Sequence, residues 1–289
     1  MDIDTDVPMS NTTGVSSSMG PNLRQSVQPG YSANTDPVFH SSNTVPRLPG
    51  NTPVSGFPSL TLSSSDSHLI SVLKEVVCGP NSDMWQGLHT PTNLKLAVKR
   101  PRMIAGIIQA VDTNRRYERE AKTWSSLKHD NILPFFGVVK LSSGTYLVAP
   151  WVAHGDLSGF LIARLECLAD PSLAQDFVSV EKRAAFLVFD EAATIHGIAS
   201  GLAYIHGCGL IHGDMKAANV LLDDTLTPLL GDFELAKKDE LKATSPGIKC
   251  GGITMWKSPG LHNGESRMTK TDIYALRMTV VEVSRNDSI

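Results

Sequence analysis

The chain has 289 residues, a length that suits one or two domains, with 41% hydrophobic and 19% charged residues. A formal net charge of -3 gives no general attraction to nucleic acid or to an anionic membrane, and no uncharged apolar run is long enough to span a bilayer. The scattered Cys78, Cys167, Cys208 and Cys250 argue against a disulfide framework or paired zinc ligands and fit a reducing, cytoplasmic interior, and the acidic N-terminus is neither a secretory signal nor an Arg-rich transit peptide.

Residues 1–66 are dominated by Ser, Thr, Asn, Pro and Gly, with sparse and aperiodic apolar residues. Such a segment buries too little surface to offset its ordering entropy, which predicts a disordered tail ahead of a domain over 67–289. In "HLISVLKEVV" the spacing of Leu69, Val72, Leu73 and Val76 predicts a helix. "NLKLAVKR" alternates as a strand, with Leu94, Leu96 and Val98 on one face and Lys95, Ala97 and Lys99 on the other. "NRRYEREAKTWSSLKH" predicts a helix whose stripe is Tyr117, Ala121, Trp124 and Leu127. "ILPFFGVVKLSSGTYLVAPWV" reads as two strands around a Ser-Ser-Gly turn. A helix starts within 155–164, and residues 165–188 read as an irregular insertion. "DEAATIHGIASGLAYIHG" predicts an amphipathic helix from an Asp190 N-cap to Gly207. "NVLLD" and "TPLLGDF" form a short hairpin turning at Asp223-Asp224, and "KTDIYALRMTVVEV" is a last apolar helix.

Two groups of residues carry chemistry. Ala97 and Lys99 share a strand face, a small residue and a cation that suit a flat ligand with an anionic tail. Glu120 lies within the apolar stripe of its helix, where an unpaired charge is costly, and Lys99 is its natural partner. His212, Asp214, Lys216 and Asn219 precede one strand, and Asp232 follows the next. Oxygen ligands at the ends of adjacent strands can hold Mg²⁺, and a further carboxylate beside a cation can orient a hydroxyl toward a phosphoryl group. A solvated hairpin would explain these charges but not their order.

"HGDMKAAN" resembles the catalytic loop H-x-D-x-K-x-x-N of the eukaryotic protein kinases. "DFE" resembles their D-F-G, "LAVK" their strand-3 lysine motif, and "REAKTWSSLKHDNIL" their helix C and following loop. "YLVAPWVAHGDL" is similar to the interlobe hinge, "ATSPGIKCGGITMWKSPGL" to an activation segment and "TKTDIYAL" to the central C-lobe helix. The resemblance covers about residues 68–289. It implies an α+β, two-lobed fold: an N-lobe antiparallel sheet with helix C over about 67–150, and a helical C-lobe over about 151–289 that ends early. It implies ATP and Mg²⁺ as cofactors and a protein Ser/Thr hydroxyl as acceptor, while the net charge and the apolar runs predict no nucleic-acid or membrane partner.

By the same resemblance Asp214 is the catalytic base and Lys216 steadies the transferring phosphoryl group. Asn219 and Asp232 hold Mg²⁺, and Lys99, paired with Glu120, contacts the α- and β-phosphates. Met84, Ala97 and Leu221 sandwich the adenine, the Pro150 carbonyl and Val152 N–H meet its edge, and Ala149 is a small gatekeeper. Trp124, Phe135, Phe233 and His212 stack as a spine anchored by Asp272. Lysine two residues after the catalytic aspartate resembles serine/threonine kinases, and the activation segment and last helix resemble the tyrosine-kinase-like group.

The departures are specific. Only Gly79 of the Gly-rich loop survives, where backbone would come closest to the phosphates, and Ser82 takes the third glycine position. Gly213 replaces the arginine before the catalytic aspartate, which makes Thr244 and Ser245 poor phosphorylation switches. Glu234 replaces the D-F-G glycine, Gly260 the glutamate of A-P-E, and Arg277 a glycine of the last helix. An early end would leave Ile273, Leu276, Val280 and Val283 uncovered, which implies a partner on that helix, instability or an incomplete chain, with an incomplete or degenerate gene product favoured. Three functions compete: a protein serine/threonine kinase, a pseudokinase that keeps the fold as an interaction module, and a small-molecule phosphotransferase of the aminoglycoside or choline kinase type.

Overall fold

The computed structural model describes residues 57–78, 82–101, 107–141, 144–170, 178–239 and 254–284. Five strands, β1 (Ile70–Cys78), β2 (Ser82–His89), β3 (Leu94–Pro101), β4 (Gly137–Leu141) and β5 (Gly144–Pro150), form an antiparallel sheet in the order β1-β2-β3-β5-β4. The alternation in β3 divides this sheet into two faces. Leu96 and Val98 pack with Ile70, Val139, Tyr146 and Val148 in one cluster, whereas Ala97 joins Leu147 and Ala149 in the cluster that also holds helix α1 (Ile107–Ser126).

Residues 70–78 are a strand, not the helix that their spacing predicts. Their register with β2 shifts between Val72 and Lys74 and again between Glu75 and Val77. Each shift breaks the period of two, so the apolar spacing drifts toward a helical one. Residues 57–66, placed in the tail by composition, pack on the sheet. Leu62 is buried and its N–H donates to the Phe136 carbonyl at 2.6 Å, which starts the packed domain upstream of residue 67. Residues 1–56 of the predicted tail lie outside the described residues.

The second half is helical. Helix α2 (Leu157–Ala169) is capped by Asp156, α3 (Val180–Val188) by Ser179, and α4 (Glu191–Gly207) by Asp190, each side chain accepting from an N–H three residues on. Much of the predicted insertion at 165–188 is therefore helix. Phe160 of α2 draws Phe186 and Phe189 around it, with ring centroids 5.0 and 5.1 Å away, and Arg164 Nε donates to the Phe186 carbonyl at 3.0 Å.

Among the described residues four short strands lie beyond α4. β6 (Leu210–Ile211) pairs with β9 (Lys237–Lys238), and β7 (Val220–Leu222) pairs with β8 (Pro228–Leu230) as the predicted hairpin. Helices α5 (Pro259–His262) and α6 (Thr269–Ser284) follow. Of the four α6 residues expected to be uncovered, Val283 is buried in the main core, Leu276 and Val280 are half-buried, and Ile273 is 42% exposed. The expected apolar face on α6 thus shrinks to one side chain.

Candidate active site

Two polar clusters meet where the sheet, α1 and the β6–β8 segment converge. The first is assembled from distant residues. Lys99 Nζ of β3 bonds Glu120 Oε1 of α1 at 2.7 Å and Asp232 Oδ1, just past β8, at 2.8 Å. Glu120 is 2% exposed and Lys99 12%. Burial opposes the charge on Lys99, but the Asp232 and Glu120 carboxylates outweigh it and hold its pKa above the ordinary lysine value. One ammonium cannot fully offset two carboxylates. Burial therefore pushes Glu120 up, while at Asp232 the neighbouring Lys99 overcomes burial and keeps the carboxyl below its usual range.

The second cluster is local. Lys216 Nζ bonds Asp214 Oδ2 at 2.7 Å, and Asn219 Nδ2 donates to Asp214 Oδ2 at 2.9 Å and to the Asp214 carbonyl at 2.7 Å. Asp272 of α6 fixes the loop from below, accepting from His212 N–H at 2.8 Å, Gly213 N–H at 2.9 Å and His206 Nε2 at 2.9 Å. The Gly231 N–H donates to the Asn219 carbonyl at 2.9 Å, which ties Asp232 to this cluster. Asp232 takes φ +59°, a left-handed conformation that aspartate tolerates better than most residues.

The donor set fits a magnesium ion. Asn219 spends its amide nitrogen on Asp214 and Asp232 spends Oδ1 on Lys99, which leaves the Asn219 Oδ1 and Asp232 Oδ2 oxygens, and Mg²⁺ takes oxygen ligands. The other predicted residues border the same region. Met84 faces Lys99 across β2 and β3, and Ala97 faces Ala149 across β3 and β5. Ala97 and Leu221 pack partly buried against the main core, and Ala149 and Val152 are buried within it. The Trp151 N–H donates to the Lys95 carbonyl at 3.0 Å, so strand alternation turns the Pro150 carbonyl and Val152 N–H away from β3. Gly79 lies outside the described residues, as do Thr244 and Ser245.

The four rings form a continuous stack. Trp124 lies 4.9 Å from Phe135 and 5.9 Å from Phe233, and Phe233 lies 5.5 Å from His212, centroid to centroid. Trp124 Nε1 also donates to the Leu133 carbonyl at 2.7 Å.

The departures acquire a spatial reading. Gly213 has φ +82°, and a Cβ there would meet the Leu235 carbonyl oxygen at 2.8 Å and Arg267 Cδ at 3.3 Å. A Cβ on Gly260 would collide with the Glu265 carboxylate. The loop after α5 thus brings the Arg267 and Glu265 side chains against the two glycines. Glu234 is absent from the positive-φ residues among those described, so its backbone does not use a glycine's freedom.

Two polar anchors were not legible as such. Glu282 of α6 accepts from the Ala217 N–H at 3.0 Å and from Trp256 Nε1 at 2.8 Å, and burial raises its pKa. A lone carboxylate in "TVVEV" is the signal that points to it. Tyr117 reads as a core ring, and the sign of more is a phenol where a phenylalanine would fill the stripe.

A buried lysine–carboxylate pair beside a stacked aromatic spine and an H-x-D-x-K-x-x-N loop defines a protein kinase fold, and the chain belongs to the protein tyrosine and serine/threonine kinase family, whose model matches residues 70–287. The chain is similar to cysteine-rich receptor-like protein kinase 27 of Arabidopsis thaliana, 27% identical over 233 residues, which cover 78% of this chain and 32% of that protein. It is 30% identical over 190 residues to mitogen-activated protein kinase kinase kinase 1 of the same plant, covering 65% of this chain and 28% of that protein. L-type lectin-domain containing receptor kinase I.8, also of Arabidopsis thaliana, is 31% identical over 173 residues, 59% of this chain and 24% of that protein. The chain spans a third or less of the length of these relatives. They are consistent with a divergent eukaryotic serine/threonine kinase of the tyrosine-kinase-like type. Among the described residues no helix is long and apolar enough to cross a membrane.

Proposed function

We propose that the chain transfers the γ-phosphoryl group of ATP to a serine or threonine hydroxyl of a protein, with Mg²⁺. The observation that carries this reading is Lys99, bonded at once to Glu120 and Asp232, which joins sheet, α1 and the loop after β8 at one buried cation. In this reading Lys99 holds the α- and β-phosphates and Glu120 orients it. Met84, Ala97 and Leu221 enclose the adenine beneath Ala149, and the Pro150 carbonyl and Val152 N–H meet its edge. Asp214, held by Asn219 and Lys216, receives the acceptor's hydroxyl proton and aims its oxygen, and Lys216 balances charge on the moving group. Asn219 and Asp232 would hold Mg²⁺, which when bound supplies charge neutralisation to the phosphates. Gly79 is assigned to the phosphate loop. ATP as donor and the free thiols of Cys167 and Cys208 fit an intracellular place of action.

A thermal shift of the full chain with ATP and Mg²⁺, followed by phosphate transfer to casein and to a small aminoalcohol, tests the proposal. Stabilisation by nucleotide with transfer to casein is expected. Stabilisation without transfer makes the chain a pseudokinase, transfer to the alcohol alone makes it a small-molecule phosphotransferase, and no shift overturns both enzymatic readings.

A further inference from the structure

The core-facing stripe of α1 carries a phenolic hydroxyl. Tyr117 is 6% exposed, and a phenol buried to that extent needs partners. Its hydroxyl donates to the Lys99 carbonyl and accepts from the Leu147 N–H at 2.6 Å. Lys99 and Leu147 face each other across β3 and β5. Counting alternate pairs from the bond between Trp151 N–H and the Lys95 carbonyl places them among the pairs that exchange backbone hydrogen bonds. The hydroxyl therefore reaches into a rung of the sheet. It bonds the backbone of the same residue whose side chain bonds Glu120.

Tyr117 and Glu120 stand three residues apart on one helix face. Helix α1 thus grips Lys99 at both ends, by a hydroxyl on its carbonyl and a carboxylate on its ammonium. A phenylalanine ring would fill the same volume, so packing does not account for the oxygen. Burial drives the phenol's pKa far up, so the hydroxyl keeps its proton and its role as donor.

We propose that Tyr117 is a positioning residue: its hydroxyl sets the depth of α1 against β3 and β5 and so holds Glu120 within reach of Lys99. This rests on the reading of Lys99 and Glu120 as the nucleotide-facing pair. A hydroxyl that only satisfied the Leu147 N–H would not couple to Glu120, whereas a hydroxyl that positions the helix acts through it.

The test is Tyr117→Phe in the full chain, alone and combined with Glu120→Gln. Calorimetry would read MgATP affinity, and hydrogen exchange would read the amides of residues 117–124. The expected result is about a tenfold loss of MgATP affinity and faster exchange in α1 for Tyr117→Phe, with little further change when Glu120→Gln is already present. Unchanged affinity with unchanged α1 exchange, or equal losses in both backgrounds, would overturn the proposal. Wild-type chain that binds no nucleotide would sink the kinase reading, and the exchange cycle would still decide on Tyr117. Should Tyr117→Phe fail to fold, the ¹⁹F resonance of 3-fluorotyrosine at position 117 gives the same reading. It should move on Glu120→Gln, and an unmoved resonance would refute the coupling.

Discussion

The two halves of the site are built in opposite ways. Lys99, Glu120 and Asp232 come from residues 21 and 133 positions apart, and they meet at a buried Lys99–Glu120 pair that Asp232 joins from the more open side. Asp214, Lys216 and Asn219 lie within five positions on one loop, with the Asp214 and Lys216 side chains 30% and 27% exposed. The distributed cluster holds elements together as well as serving the site. The local cluster hangs on Asp272 and can change its chemistry without loosening the fold. Substitutions should therefore separate turnover from stability according to which cluster they enter.

The largest expected effect is in the local cluster. Asp214→Asn should lower turnover by about 10²–10⁴-fold, read by steady-state phosphate transfer. Its unfolding free energy should stay within about 0.5 kcal/mol of wild type, read by urea titration. In the distributed cluster Lys99→Met leaves Glu120 buried without its cation, and should cost about 3–5 kcal/mol in the same titration. If the two variants were equally stable, the contrast between the clusters would fail.

Gly213→Arg probes the join between loop and core. Its φ of +82° and the close Leu235 carbonyl predict a loss of about 1–3 kcal/mol by calorimetric unfolding. The smallest effect is in pH dependence. Asp232 is held below its ordinary pKa, so its contribution to stability is present above the usual carboxylate range and is lost as pH falls through the depressed value. Glu120 is raised, so its contribution is present below its ordinary value and is lost as pH rises through the elevated one. Urea midpoints of Asp232→Asn and Glu120→Gln across pH 3–7 (a range of about four pH units around the carboxylate values) should flatten limbs of opposite sign.

The same contrast explains what was legible beforehand. "HGDMKAAN" places a base, a cation and an amide on one loop, so its order is readable without a fold. Glu120 is legible because a carboxylate within an apolar stripe needs a cation. Asp272 and the ring stack follow from the resemblance, since nothing local links His212 to a residue 60 positions on. The β1 strand is misread because its bulges break the alternation, and α3 because a cluster around Phe160 is visible only in three dimensions. The Tyr117 hydroxyl, Glu282 and Arg267 depend on backbone atoms and spaces contributed by other elements.

The most direct test of a single phosphoryl-transfer site is radiolabel from [γ-³²P]ATP on a Ser/Thr protein, with wild-type chain beside Asp214→Asn at matched folded fraction. The account predicts label on serine or threonine from wild type and its loss in the variant. Equal labelling by the two, or nucleotide binding without any labelling by wild type, would contradict it.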